Sequence, residues 1–173
     1  MTRHSHISPA LQLALVCALG ATAFTTAMAD SQRITVPLLP KYQQECAACH
    51  IAYVPGMLPA ASWTRMMGSL DKHYGTDASL DEASVREISG WLKEHAGTYK
   101  RVSEAPPQDR ITQSAWFVRK HRKLDAPVWQ HASVKSASNC AACHTGADKG
   151  DFKESGLKFP AGLNERYRRN WSD

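Results

Sequence analysis

The pentapeptide CAACH stands at residues 46–50 and again at residues 140–144. Each copy sets two thiols around a two-residue spacer and puts an imidazole directly after the second: Cys46, Cys49 and His50, then Cys140, Cys143 and His144. The 173-residue chain has five cysteines, and the fifth, Cys17, falls in an N-terminal segment read below as removed. Every thiol of the remaining chain is therefore spent inside the two boxes.

The compartment narrows what the boxes can do. MTRHSHISPALQLALVCALGATAFTTAMAD opens the chain with Arg3 in a short polar head, an apolar run over residues 13–21 and small residues ending at Ala27-Met28-Ala29. This is the three-part pattern of a secretory signal, cleaved after Ala29. The apolar run is about half of the roughly 20 residues that a spanning helix needs. The expected location is the periplasm.

Outside the cytoplasm, paired cysteines form disulfides, contribute to a tetrahedral zinc site, or attach haem through thioethers with the following histidine on the iron. The histidine at the same place in both boxes favours the third fate, since disulfides and four-thiolate zinc have no use for it. The reading is thus two covalently attached haem c groups with iron. Cys46, Cys49, Cys140 and Cys143 are their attachment points, and His50 and His144 their proximal ligands.

Size agrees with this. Residues 30–173 are short for two domains, and small domains usually need a staple. A buried porphyrin adds apolar surface that the chain itself lacks. Of the formal charge of +5, Arg3 carries one. No long basic run is interleaved with aromatics, which gives no argument for nucleic acid, and Arg166, Arg168 and Arg169 read as a solvated tail.

Periodicity predicts a mainly α chain. A short helix over 40–52 bears the first box, and Ser62 is the expected N-cap of a helix through His73. A third helix follows in SLDEASVREISGWLKEHAG (79–97), with Val85, Ile88, Trp91 and Leu92 as its apolar stripe and Gly97 as its stop. Residues 98–110, with Pro106 and Pro107, read as a boundary between a first domain at 30–100 and a second at 101–173. Beyond it, Ser114 caps a short helix reaching His121. LDAPVWQHASVKSASN (124–139) reads as loop.

Four histidines of the mature chain compete for the distal positions: His73, His95, His121 and His131. His95 suits the last turn of its helix, where a partly charged imidazole meets the dipole, and His131 lies close before the second box. His121, one helical turn from Phe117, is favoured for the second iron. For the first, periodicity leaves His73 and His95 both open, and His73 is what the class I cytochrome resemblance given below implies. Met57, Met66 and Met67 read as packing around the first haem. The choice matters because a Met/His pair raises the reduction potential relative to two imidazoles.

The first half resembles a class I cytochrome c, with its box on an early helix and a closing helix of the form LDEASVREISGWL. Taken together, CAACHIAYVPGMLPAASWTRMMGSLDKHYGTDASLDE (46–82), RITQSAWFVRKHRKL (110–124) and NCAACHTGADKGDF (139–152) closely resemble the bacterial dihaem cytochrome c family. The resemblance covers roughly residues 44–160. It implies a periplasmic electron carrier of two haem domains, the first class I-like and the second loop-rich with a short helix. On matching positions the family's distal histidines fall on His73 and His121. The implied partners are other redox proteins, among them a small high-spin cytochrome c that binds oxygen and a membrane b-type cytochrome. An electron-transfer subunit of a periplasmic reductase and a small dihaem peroxidase are the competing expectations. The tail after Pro160 lies outside the resemblance and reads as a docking element or a polar end.

Overall fold

The structure is a computed structural model and describes residues 36–170. The expected secretory signal lies outside the described residues. Helix α1 (Pro40–Cys46) starts where Leu39 is extended and Pro40 occupies the first turn, a position that tolerates proline because its missing N–H has no intrahelical partner. Its buried Tyr42 faces the core, and Cys46 is its last residue. Helix α2 (Ala60–Met67) is capped by Pro59, and the Pro59 carbonyl accepts from Ser62 and Trp63.

Two features differ from the sequence reading. Ser62 is buried inside α2 and does not cap it, because Pro59 already supplies the extended start. The helix also ends at Met67, with Gly68 as C-cap, and does not run to His73. Ser69 breaks it at φ −142°, ψ 39°, and its hydroxyl bonds back to the Arg65 carbonyl. His73 is therefore presented by the 3-10 turn Leu70–Lys72 that follows, not by the helix expected to run from Ser62.

Helix α3 (Glu82–Glu94) is capped by the Asp81 carboxylate, which accepts from the Ser84 amide at 3.0 Å. Ile88 and Leu92 are fully buried, with Val85 and Trp91 packed beside them. The helix packs across α2 and α1, and Trp91 meets Tyr42 at a ring separation of 5.2 Å. Tyr42, Ala52, Leu58, Trp63, Met67, Ile88 and Leu92 form this core. Met66 packs against it and Met57 is buried, so the three methionines sit where packing residues belong.

Gly97 does not end α3, which stops three residues earlier at a His95 C-cap. Its amide donates to the Leu58 carbonyl at 2.9 Å, and a Cβ here would lie 2.1 Å from Val102 and 2.6 Å from the Gly56 carbonyl oxygen. Close approach of two chain segments explains this glycine.

In the second half, α4 (Ala115–Lys120) has the expected Ser114 cap and ends on His121. The segment read as loop contains a further helix, α5 (Ala126–Gln130), with Pro127 in its first turn and Val128 buried. Five residues with one buried position are too few for a period to show. The tail does not read out as a solvated end. Leu163 and Tyr167, the latter in the 3-10 segment Glu165–Asn170, pack with Val128 into a second cluster bordered by Leu124 and Phe159. Arg166 and Arg168 lie over the Tyr167 and Phe159 rings. Among the described residues the β-structure is limited to isolated bridges, and no helix is long and apolar enough to cross a membrane.

Candidate functional site

The first box leaves α1 at Cys46 and turns through Ala47 to His50. His50 Nδ1 lies 2.7 Å from the Ile51 carbonyl oxygen. A ring N–H donated there leaves the other nitrogen's lone pair free for a metal. Opposite, the imidazole of His73 stands 6.1 Å away between ring centroids, with 28° between the planes. Tyr74 closes the back of His73 edge-on at 4.9 Å.

Tyr74 holds an unusual backbone, with φ of +50°. Its hydroxyl donates to the Gln108 and Asp109 carbonyls, and Arg110 lies over its ring. Asp109 in turn takes two hydrogen bonds from Arg65 of α2, at 2.9 and 2.6 Å. The turn that carries His73 is thus tied both to α2 and to the segment entering the second half.

The second box rides on the 3-10 turn Cys140–Ala142. Short links fix its far side: Lys158 donates its amide to the Cys143 carbonyl and Thr145 its amide to the Gly156 carbonyl. His144 faces His121 at a ring separation of 6.2 Å, with the planes at 77°. His121 Nδ1 meets the Phe117 carbonyl oxygen at 2.9 Å, and its ring stacks on Phe117 at 4.0 Å. Trp129 and Phe152 complete the surround. Neither aromatic was legible as a site residue, since each falls in a stretch without helical period.

Burial sets the chemistry of these groups. It pushes the Cys46, Cys140 and Cys143 thiols up to about 11, so they remain protonated in the bare chain. Burial, followed by the neighbouring His121, lowers His144 to about 4. His73 is lowered by burial and then by His50, and His121 chiefly by burial. In all three the shift favours the neutral form that a metal ligand requires.

Separation tests the fit to iron. Two metal–nitrogen bonds of roughly 2 Å each, as imidazole makes with metals, plus half of each ring, span about the distance seen in both pairs. Two buried atoms, His144 Nδ1 and Trp116 Nε1, lack a hydrogen-bond partner. Such orphans are uncommon in a finished interior, and His144 is the histidine of the second box, where an incoming group would engage its ring. The residues present fit haem. No cluster of three or more His, Cys, Asp or Glu side chains among the described residues could hold a bare metal ion.

The box imidazoles pair with His73 and His121, while the other two histidines make contacts elsewhere. His95 Nδ1 meets the Trp91 carbonyl oxygen, and His131 Nδ1 pairs with the Ser133 hydroxyl. The two boxes themselves are neighbours: Cys49, His50, Ile51 and Tyr53 line one cleft of ≈ 170 Å³ together with Ser138, Asn139 and Cys140. Tyr53 spans it, and burial pushes its hydroxyl up to about 12.

Two thiol-thiol-imidazole boxes in a small helical chain define a c-type cytochrome with two haems. Residues 42–152 match the dihaem cytochrome c (DHC) family, and the chain belongs to it. It carries two covalently attached haem c groups with iron. A DHC crystal structure from Rhodobacter sphaeroides is 45% identical, covering 68% of this chain and 99% of that one at a TM-score of 0.59. A second structure, the diheme cytochrome c from the same organism, is 42% identical over the same shares at 0.60. The diheme cytochrome sb-DHC of Shewanella baltica OS155 is 34% identical, covering 73% and 96% at 0.63. No curated protein sequence matches this chain.

Proposed function

We propose that this chain is a periplasmic electron carrier whose two irons each have two histidine ligands, His50 with His73 and His144 with His121. The observation that carries the reading is the pair of facing imidazoles at 6.1 and 6.2 Å. When bound, each haem supplies a one-electron Fe(III)/Fe(II) couple. The chain's part is to saturate the iron and set its potential. Held by two imidazoles each, the irons would offer no site for a substrate, and their potentials would lie below that of a Met/His pair. Phe117, Trp129 and Phe152 pack their rings against the two histidines of the second site.

The proposed haem domains at 30–100 and 101–173 follow the two boxes; the hydrophobic clusters around Ile88 and Val128 are distinct, with Ile111 of the second half packed on the first. The proposed partners are other redox proteins, including a small high-spin oxygen-binding cytochrome c and a membrane b-type cytochrome. Arg119, Lys120, Arg122 and Lys123 flank His121 and are exposed, so a partner docking at the second site meets a basic surface. Complementary charge of this kind raises association rates more than affinity.

A redox titration of the holoprotein followed by electron paramagnetic resonance tests the reading. Two low-spin haems at low potential are expected. A resting high-spin fraction, or a potential in the Met/His range, would refute it.

A further inference from the structure

Tyr53 joins the two halves where their attachment boxes meet. Its hydroxyl donates to the Ser138 carbonyl at 2.8 Å, two residues before Cys140. Its ring stacks on His50 at 5.0 Å with 26° between planes. Its own carbonyl accepts from the hydroxyl of Tyr42, also at 2.8 Å. Both ends of this line are anchored. Tyr42 is 3% exposed in the first core, on the helix that carries Cys46. On the far side, the Asn139 side chain donates to the carbonyl of Val134, which is fully buried.

We infer that Tyr53 is a positioning residue for electron exchange between the two haems, its hydroxyl bond to Ser138 fixing His50 relative to the Cys140 box. Exchange oxidises one iron from Fe(II) to Fe(III) and reduces the other by the same electron, with no proton or bond changing hands. Its rate falls steeply with separation, so the chain must hold the two boxes at a set distance. The elements bordering the shared cleft come from both halves, and Tyr53 contributes a direct side-chain bond across it. A ring in contact with the proximal imidazole also couples any shift of that bond to the first iron's environment.

The inference rests on the two-histidine carrier reading, which fails separately if the wild-type haems are not low-spin. Tyr53→Phe keeps the ring on His50 and removes only the hydroxyl. In the Y53F holoprotein both haems are expected to stay attached and low-spin, while inter-haem exchange, followed after rapid partial reduction, slows and the gap between the two midpoint potentials shifts. Tyr53→Leu should additionally alter the spectrum of the first haem alone. An exchange rate and a potential gap in Y53F equal to wild type overturn the proposal. Should Y53F fail to assemble, the reduced wild-type protein decides: nuclear Overhauser contacts between the Tyr53 ring and Ser138 support it, and their absence overturns it.

Discussion

The imidazole of His144 crosses that of His121 at 77°, whereas His50 and His73 lie within 28° of parallel. Hydrogen bonds made by the ring N–H groups fix such orientations, here donated by His50 to the Ile51 carbonyl and by His121 to the Phe117 carbonyl. Crossed axial planes leave the two iron dπ orbitals nearly equal in energy, while parallel planes split them. Oxidised protein should therefore give two distinguishable low-spin resonances, a rhombic one from the first haem and a strongly anisotropic one from the second. A single signal integrating to two equivalent haems would contradict the geometry.

Replacing His73 and His121 by Gly separately should each convert one haem, about half of the total absorbance, to a high-spin or exogenously ligated form. The other haem keeps its low-spin spectrum. His95→Gly and His131→Gly should leave both spectra unchanged, since the imidazoles that stand against His50 and His144 are those of His73 and His121. Optical spectra of the four variants suffice. A low-spin first haem in His73→Gly would return the choice to the other ligands.

How much of this was legible depended on whether a residue's role is local. The boxes could be read because their chemistry is complete within five residues, and α3 because a stripe from Val85 to Leu92 spans enough turns to show its period. His73 was singled out on a partly mistaken local structure, since the helix expected to present it ends at Met67. What the sequence concealed is the long-range bonding: Tyr53 to Ser138, Arg65 to Asp109, and Leu163 and Tyr167 to Val128. No local pattern announces a partner 85 or 44 positions away.

The C-terminal segment extends past the family match at residue 152 yet closes the second core. Truncating a buried leucine to alanine costs about 2–5 kcal/mol, depending on how far the site collapses. Leu163→Ala is expected at the lower end, near 2 kcal/mol, because its cluster is small. Denaturation followed at each haem should show the second haem lost at lower denaturant while the first keeps its midpoint. Equal loss at both haems would mean that this cluster serves the whole chain.

Asp109 ties the His73 turn to α2, and the hydrogen bonds from Arg65 hold its carboxyl below the usual aspartate range. A depressed folded value means that its stabilising contribution is present above the unfolded value of about 3.9 and is lost as the pH falls through the lower folded value. Asp109→Asn should therefore be less stable than wild type at neutral pH, with the difference fading on acidification below about pH 4. Urea midpoints of the two proteins across this range measure it. A gap that stays constant down to the acid limit would show that the ion pair contributes nothing through this carboxylate. The exposed Arg65 makes the effect salt-sensitive as well.

Two glycines of the first half should respond oppositely to alanine. At Gly97 the added methyl group would lie 2.1 Å from Val102 and 2.6 Å from the Gly56 carbonyl oxygen, and the second of these is backbone that cannot swing aside. Overpacking of this kind costs typically 1–3 kcal/mol, so Gly97→Ala should fall at about 3 kcal/mol or fail to incorporate the first haem. Gly90 stands in the interior of α3 with nothing within 4 Å of the new Cβ. There alanine reduces the entropy of the unfolded chain and favours the helix by roughly 0.5–1 kcal/mol. Denaturant midpoints of the two holoproteins should move in opposite directions. If Gly97→Ala proved neutral, the close approach of the Gly97 and Gly56 segments would not hold in solution.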